Sequence, residues 1–306
     1  MEVAGAEEAL SVLNYSLSHI KWRLKPPAKR RLEIDVLALC TEMRPVIMVD
    51  YGGMMPELQE RLCALLRFCQ QESPIFEHLR VMVIEDMIYL IHFRALAEYV
   101  KSSLNSEVEL VLVNLEQDPL KMVSLAEKCS LVADLIRVQN LFSVSFPLIE
   151  TNNELSSCRT IDSTARANAE SSSDKTLTSQ SSGIIDLSSC MQDTQITVPT
   201  LNGWLLGYPV VYLFGKEQIS DSIYNLSTKY LNIFRILVRN VSSKKGSRLE
   251  ELMSFSVPYE LSMGGSKEPW AEAFMGKMQS RWENCKQVWK VLQLEVSECY
   301  PQAIVL

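Results

Sequence analysis

The 306-residue sequence lacks most of the residue groupings that identify a particular chemistry. Its three histidines, His19, His78 and His92, are far apart in sequence and lie near no cluster of cysteines. The eight cysteines include no CxxC pair, and several fall on apolar helix faces, where cysteine acts as a small hydrophobic residue. A zinc site needs clustered ligands, so this pattern predicts no metal site.

Net positive charge and long apolar runs are also missing. The formal net charge is -7 and the pI is about 5.2, which argues against a general attraction to nucleic acid or to anionic lipid. No apolar run approaches the roughly 18 residues of a membrane span, and the acidic start MEVAGAEEAL lacks the apolar core of a signal peptide. We therefore expect a soluble protein of the cytoplasm or nucleus, without a nucleic-acid or membrane partner.

The common catalytic motifs are absent as well. The sequence contains no GxSxG nucleophile elbow, no GxxxxGK[ST] phosphate loop and no HExxH metal motif. No catalytic residue can be named on these grounds, and no cofactor is predicted. The absences favour a protein that is not an enzyme.

What the sequence does contain is a regular alternation of helix and strand patterns. Hydrophobic residues make up 47% of the chain, which is enough to bury a sizeable core. After two helical segments, the run PVIMVD predicts a strand, and ELQERLCALLRFC predicts a helix. The same pattern recurs twice. The strand pattern LRVMVIEDMIYLI precedes a helix at about 93–104, and the strand pattern VELVLVN precedes a helix at about 119–140. Such alternation predicts an α/β fold with a central, mostly parallel sheet and helices on both faces.

Residues 151–193 interrupt this pattern. They are dense in Ser, Thr, Asn and Asp, include no aromatic residue, and offer little apolar surface to offset the entropy of ordering. We predict a long disordered insert. Residues 1–150 and 194–306 are then two parts of one α/β domain, and the second part completes the sheet begun by the first. The second part is predicted to contain a hairpin at 201–215, a helix at about 220–238, a strand in LMSFSVPYEL and a helix at about 269–291.

Two apolar stretches carry a family resemblance. The segments GWLLGYPVVYLF, residues 203–214, and PVIMVDYGG, residues 45–53, resemble an uncharacterised eukaryotic protein family of unknown function, provisionally named for an open reading frame on human chromosome 1. The resemblance covers both structured parts but not the insert. It implies no reaction and no catalytic residues.

Three polar groups follow predicted strands, where ligands bind in open α/β sheets: Asp50, the pair Glu85 and Asp86, and Asn114. Asp50, Gly52 and Gly53 are similar to the first motif of the nucleotide-fold methyltransferases, and Glu85 or Asp86 would be the acid that holds a ribose. The match is incomplete, because the glycines are adjacent and two bulky methionines follow. Pro56 also removes a donor from the next helix, and acidic residues in its first turn oppose a phosphate. The alternative is that the glycines only supply positive φ for a tight turn.

The insert contains one short apolar motif. Ile184, Ile185 and Leu187 flank Asp186 in GIIDLSS, which resembles a SUMO-interacting motif. Such a peptide adds a strand to the edge of a partner's sheet while acids or phosphorylated serines face basic residues. In a disordered segment, this cluster predicts protein binding; the alternative is a chance apolar cluster in a linker.

Two functions are compatible with these features. The first is a non-catalytic adaptor that binds other proteins, SUMO being one candidate through residues 184–187. The second is a methyltransferase-like enzyme that binds S-adenosylmethionine or a nucleotide at the strand ends around Asp50 and Glu85.

Overall fold

The computed structural model describes residues 1–105, 110–124, 129–148, 184–240 and 249–304. These ranges contain eight α-helices: α1 (Val3–His19), α2 (Pro26–Cys40), α3 (Glu57–Glu72), α4 (Phe93–Leu104), α5 (Ser130–Ser145), α6 (Val198–Leu205), α7 (Ile219–Ser227) and α8 (Pro269–Glu283). They also contain ten strands: β1 (Val46–Met48), β2 (Leu79–Ile84), β3 (Met87–His92), β4 (Val111–Asn114), β5 (Lys121–Val123), β6 (Ile184–Asp186), β7 (Val210–Leu213), β8 (Leu231–Asn240), β9 (Glu250–Pro258) and β10 (Trp289–Cys299). No helix in the described ranges is long and apolar enough to cross a membrane.

The fold is mixed α/β, but the prediction of one central, mostly parallel sheet is wrong. The first sheet has the strand order β1-β3-β2-β6, the second β5-β4-β7 and the third β10-β8-β9. Only the pairs β2–β6 and β4–β7 are parallel, whereas the other pairs in these sheets are antiparallel. The described strands are therefore distributed over three small sheets.

A tight turn explains part of this difference. The segment LRVMVIEDMIYLI forms not one strand but the hairpin β2–β3, in which Ile84 pairs with Met87 across the two-residue turn Glu85–Asp86. Glu85 has a φ of 51°, the left-handed conformation that a tight hairpin requires. The chain reverses here, so β3 runs antiparallel to both of its neighbours.

The third sheet replaces much of a predicted helix. The helix expected at about 220–238 ends at Ser227, and β8 begins at Leu231. Along β8 the buried and half-buried residues alternate with period two, which places Phe234, Ile236 and Val238 on one face. Helix α8 covers that face, and the indole of Trp270 lies 5.0 Å from the ring of Phe234.

The first sheet separates two hydrophobic cores. Successive residues of a strand point to opposite faces, so Val81 and its partner Leu90 lie in one core, while Met82 and its partner Tyr89 lie in the other. Residues of α2 and α3 belong to the first core and residues of α4 and α5 to the second. Residues 81–84 of β2 and 88–91 of β3 are buried and apolar or aromatic without interruption, as is typical of strands covered on both faces. A Val, Leu, Ile or Met side chain contributes about 1.5–3 kcal/mol when fully buried.

The predicted disorder of the insert is wrong for residues 184–193. Ile184–Asp186 form β6, Ser188–Met191 form a short 3-10 helix, and Cys190 and Met191 are buried. These apolar residues gain burial and backbone hydrogen bonds against β2, which offset the entropy of ordering them. Residues 151–183 of the predicted insert lie outside the described residues.

Candidate functional site

The Gly-Gly turn after β1 packs against a tryptophan of the same chain. Gly52 has a φ of +84°, and a Cβ there would approach Trp22 to 2.8 Å and Leu24 to 2.7 Å. The indole Nε1 of Trp22, a side chain that is nearly fully buried, donates a hydrogen bond of 2.7 Å to the Gly52 carbonyl oxygen. A Cβ on Gly53 would lie 3.1 Å from Nη1 of Arg61. Trp22 thus occupies the space over Gly52 that the cofactor hypothesis assigns to a ligand.

Next to this turn lies a polar cluster, formed by the buried Asp35 and Arg44 and the half-buried Arg31 and Tyr51. The Tyr51 hydroxyl donates a 2.7 Å hydrogen bond to Oδ2 of Asp35, and Nε of Arg31 donates to the same oxygen at 3.1 Å. The other carboxylate oxygen, Oδ1, lies 3.0 Å from Nη2 of Arg31, an ion pair without hydrogen-bond alignment. The side chain of Asp35 is fully buried.

Burial controls the protonation of this cluster. Loss of water raises the pKa of Asp35, although the Arg31 charge and the Tyr51 hydrogen bond lower it. Burial also raises the pKa of Tyr51, and the Asp35 carboxylate adds to the rise, so Tyr51 stays a protonated donor. Burial lowers the pKa of Arg44. Within the described residues the Nε of Arg44 has no hydrogen-bond partner.

The two arginines join the N-terminal part of the chain to the third sheet. Nη1 of Arg31 donates to the Glu251 carbonyl oxygen at 2.7 Å, and Nη1 of Arg44 donates to that of Leu252 at 3.1 Å. Both carbonyls belong to β9, which is at the edge of its sheet. Hydrogen bonds from charged donors contribute about 1.5–3 kcal/mol each. The interior charges therefore act as structural links that cap an edge strand.

The Glu85–Asp86 turn is tied to β6. The amide N–H of Glu85 donates a 2.9 Å hydrogen bond to Oγ of Ser188, whose hydroxyl donates to Oδ1 of Asp186 at 2.7 Å. The carboxylates of Glu85 and Asp86 are exposed. The turn is thus hydrogen-bonded to the 3-10 helix that follows β6.

The predicted cofactor residues are brought to one end of the first sheet but not onto neighbouring parallel strands. Asp50 follows β1 and Glu85 follows β2, but β3 lies between these strands and runs antiparallel to both. Two strand spacings place the ends of β1 and β2 roughly 10 Å apart. In a dinucleotide-type fold the corresponding strands are adjacent and parallel.

The predicted SUMO-binding residues already form a strand within the chain. Ile184, Ile185 and Asp186 pair in parallel with β2, and the amide N–H of Leu187 donates to the Val83 carbonyl oxygen at 2.9 Å. Ile184 packs on one core, whereas Ile185 and Leu187 pack on the other. One backbone edge of the motif and much of its apolar surface are therefore occupied by the protein itself.

The buried histidine caps a helix. Nδ1 of His92 accepts a 3.1 Å hydrogen bond from the amide N–H of Ala95 in the first turn of α4. Its ring lies 5.5 Å from that of His78, and its Nε2 is 3.8 Å from a carboxylate oxygen of Glu42. Burial, with smaller contributions from the charges of His78 and Arg94, lowers the pKa of His92 to about 4. The imidazole is therefore neutral at pH 7 and serves as a hydrogen-bond acceptor.

The described residues show no metal-binding group, and several of their thiols are buried. No group of three or more His, Cys, Asp or Glu residues in the described ranges is placed to hold a metal ion. Burial raises the pKa of Cys69, Cys190 and Cys285 to about 11, which disfavours the nucleophilic thiolate.

An open depression of about 690 Å³ is lined by Leu17, Ser18, Ile20, Lys21, Trp22, Arg23 and Arg61.

Three tyrosines form a row across one end of the third sheet. Leu231 of β8 pairs with Pro258 of β9 and with Cys299 of β10, and the residue just outside each of these strand ends is a tyrosine: Tyr230, Tyr259 and Tyr300. Tyr259 is also the first residue of a 3-10 helix. The amide N–H of Tyr259 donates to the Tyr230 carbonyl oxygen at 2.8 Å, and the rings of Tyr230 and Tyr300 lie 5.6 Å apart, edge to face. The exposed fractions of Tyr230, Tyr259 and Tyr300 are 53%, 40% and 75%.

Sequence reasoning did not find this tyrosine row. Each tyrosine lies at the end of an apolar strand pattern, which is the only local signal. The residues are as much as 70 positions apart along the chain, and they meet only because of the strand register. Neither composition nor periodicity specifies that register.

Comparison with known proteins gives a family but no activity. The family described as Domain of unknown function (DUF4504) matches residues 14–306, nearly the whole chain. This agrees with the resemblance to a family of unknown function, although the match names neither an organism nor a chromosome. No curated protein and no solved structure matches the chain.

Proposed function

Since the chain belongs to the family described as Domain of unknown function (DUF4504), we propose that it is a non-catalytic protein-binding module. The tyrosine row, Tyr230, Tyr259 and Tyr300, is the observation that carries this proposal. Tyrosine is enriched at protein interfaces because it offers a large apolar surface and a hydroxyl at a small cost in side-chain entropy. A partner protein would pack on the three rings.

The position of the tyrosine row supports a binding role. Its residues lie just outside three hydrogen-bonded strands, and Tyr259 is bonded to Tyr230 through the backbone. The backbones of Tyr230 and Tyr300 adjoin paired strands and are ordered before a partner covers them, which reduces the entropic cost of binding. Interface hot spots have the same character: aromatic anchors on a rigid support.

The buried polar groups give the enzyme hypothesis less support. Asp35, Arg31 and Arg44 are bonded to one another or to β9, and His92 caps α4. In the methyltransferase hypothesis Gly52 and Asp50 hold a cofactor, but Trp22 lies against Gly52 in this structure. Binding of SUMO through residues 184–187 stays a prediction, which requires either the other edge of β6 or its release from β2.

The proposal can be tested by comparing partners of matched tyrosine variants. The full chain and the double variant Tyr230→Ser/Tyr300→Ser would be expressed in cells, crosslinked and purified, and the recovered proteins quantified. Tyr15→Ser is the control, because Tyr15 is 52% exposed and lies on α1. We expect a set of partners that the full chain and the control retain and the double variant loses, with unchanged thermal unfolding. Equal recovery by all three proteins would refute the role of the tyrosine row.

A ligand panel tests the enzyme alternative independently. S-adenosylmethionine, nucleotides and divalent cations would be added to the full chain while thermal unfolding is followed. A ligand present at 100 times its dissociation constant stabilises the folded state by about 2.7 kcal/mol. We expect no stabilisation. A shift that Asp50→Ala abolishes would overturn the proposal in favour of the cofactor hypothesis.

A further inference from the structure

Strand β10 presents a long outer edge. It is an outermost strand of the third sheet, and residues 291–299 pair without a break with β8 on the inner side. No strand in the described ranges pairs with its outer side. An unpaired edge carries a row of free backbone N–H and C=O groups, which can pair with another chain.

Prolines, inward-pointing charges and bulges are usual means by which monomeric proteins block strand pairing. Residues 291–297 of this edge contain none of the three, and Glu298 near the end of the strand is the one charged residue of positions 291–299 on the core side. Residues 291–299 contain neither proline nor glycine, and the register shift of β10 is confined to Trp289/Val291 at its start. Leu292, Leu294 and Val296 are only half-buried and face the core side of the sheet. The edge is therefore suited to pairing, and a partner strand would bury more of these side chains.

The sequence of β10 is complementary to itself in one antiparallel register. Because the strand runs from Trp289 to Cys299, its midpoint is Leu294. A second copy centred there pairs over the full length of the strand and places Leu292 opposite Val296 on the core side. On the solvent side it places Gln293 opposite Glu295, an amide beside a carboxylate. A register centred one residue further on would instead place Glu295 opposite Glu295, which is unfavourable.

From this edge and its self-complementary register we propose that two copies of the chain pair antiparallel through the outer edges of β10. Leu294 lies on the two-fold axis, and the two third sheets join into one continuous six-stranded sheet. The interface is isologous, since each copy contributes the same strand. This inference does not depend on the tyrosine row, because β10 pairs with itself whether or not another protein binds.

Opposite charge changes at Gln293 test the register. Gln293→Lys places a lysine opposite Glu295 of the other copy, and Gln293→Glu places a glutamate there. Each change acts twice in the symmetric dimer, so sedimentation equilibrium of the full chain should show roughly 2-fold to 30-fold tighter association for the first and a similar weakening for the second. Gln71→Lys and Gln71→Glu, at an exposed position of α3, are the matched controls and should leave association unchanged.

A crosslink tests the pairing directly. A mixture of Gln293→Cys and Glu295→Cys chains should form a disulfide between copies under mild oxidation, because directly opposite Cβ atoms lie within disulfide reach. Either variant alone should crosslink less, since identical positions are offset along the strands. A chain that stays monomeric at roughly 100 μM, where a micromolar dimer would be complete, would overturn the proposal. So would association that the two Gln293 variants change in the same direction, or mixed chains that crosslink no better than each chain alone.

Discussion

Replacing His92 with asparagine should make the stability of the protein less sensitive to acid. Asparagine is a favourable N-cap residue, so His92→Asn keeps an acceptor for the amide N–H of Ala95 but removes the titrating ring. The groups that face the ring are His78 before β2, Arg94 on α4 and Glu42 after α2. Of these groups Glu42 is the negatively charged one, and a backbone hydrogen bond of His92 also favours the protonated form.

The expected loss of stability in acid follows from the pKa of His92. In the folded protein this pKa is lowered from 6.5 to about 4, so the folded state resists a proton that the unfolded state binds. Stability is therefore complete above pH 6.5 and is lost as the pH falls from 6.5 towards 4. Linkage gives a loss of about 2 kcal/mol between pH 7 and pH 5, and solvent screening of the His78 and Arg94 charges reduces it to about 1–2 kcal/mol.

Urea unfolding followed by circular dichroism at pH 7, 6 and 5 measures this difference. The smaller asparagine side chain lowers stability by an amount that does not depend on pH. The informative quantity is therefore how the difference in free energy of unfolding between the original chain and His92→Asn changes with pH. We expect this difference in free energy of unfolding to decrease by about 1–2 kcal/mol between pH 7 and pH 5. Parallel pH curves for the two proteins would show that His92 does not titrate as its burial implies.

Two other comparisons test the fold. Gly52→Ala should lower the free energy of unfolding, measured in urea, by about 2–4 kcal/mol, because its Cβ would meet Trp22 and Leu24 at a φ of +84°. Gly207→Ala, with a φ of +76° and open space around the Cβ, should lower it by only about 1–2 kcal/mol. Equal losses would mean that Trp22 shifts at little cost to make room for the new Cβ. Deleting residues 151–182 should change the unfolding temperature little, whereas deleting residues 151–193 should lower it clearly. Only the second deletion removes β6 and the buried Cys190 and Met191. Equal unfolding temperatures for the two deletion variants would contradict the stabilising role of β6.

Local patterns predicted the N-terminal elements well. Helix α4 has the predicted bounds, and the strand–turn–helix pattern of residues 45–72 is present as β1 and α3. These elements depend on periodicity and on breakers such as Pro26, all of which act within a few residues. The reversal at Glu85–Asp86 was missed because neither residue is the glycine or asparagine that normally marks a two-residue turn.

The sites were harder to predict than the elements. The glycines at 52 and 53 correctly indicate a tight turn, but sequence alone does not reveal that Trp22, 30 residues earlier, fills it. In the same way Ile184 and Ile185 indicate a strand that needs a partner edge, and the edge turned out to belong to β2. Long-range register decides both outcomes, and it depends on tertiary packing rather than on local propensity.

The two parallel ladders have a consequence for the continuity of the chain. β6 pairs with β2, and β7 pairs with β4, so both ladders join a strand before residue 149 to a strand after residue 183. The bonds from Arg31 and Arg44 to β9 cross the same interval. The two parts are therefore held together by contacts that do not pass through the intervening backbone. Cleaved there by a protease, or produced as two separate polypeptides, the halves should still associate and fold as a complementing pair.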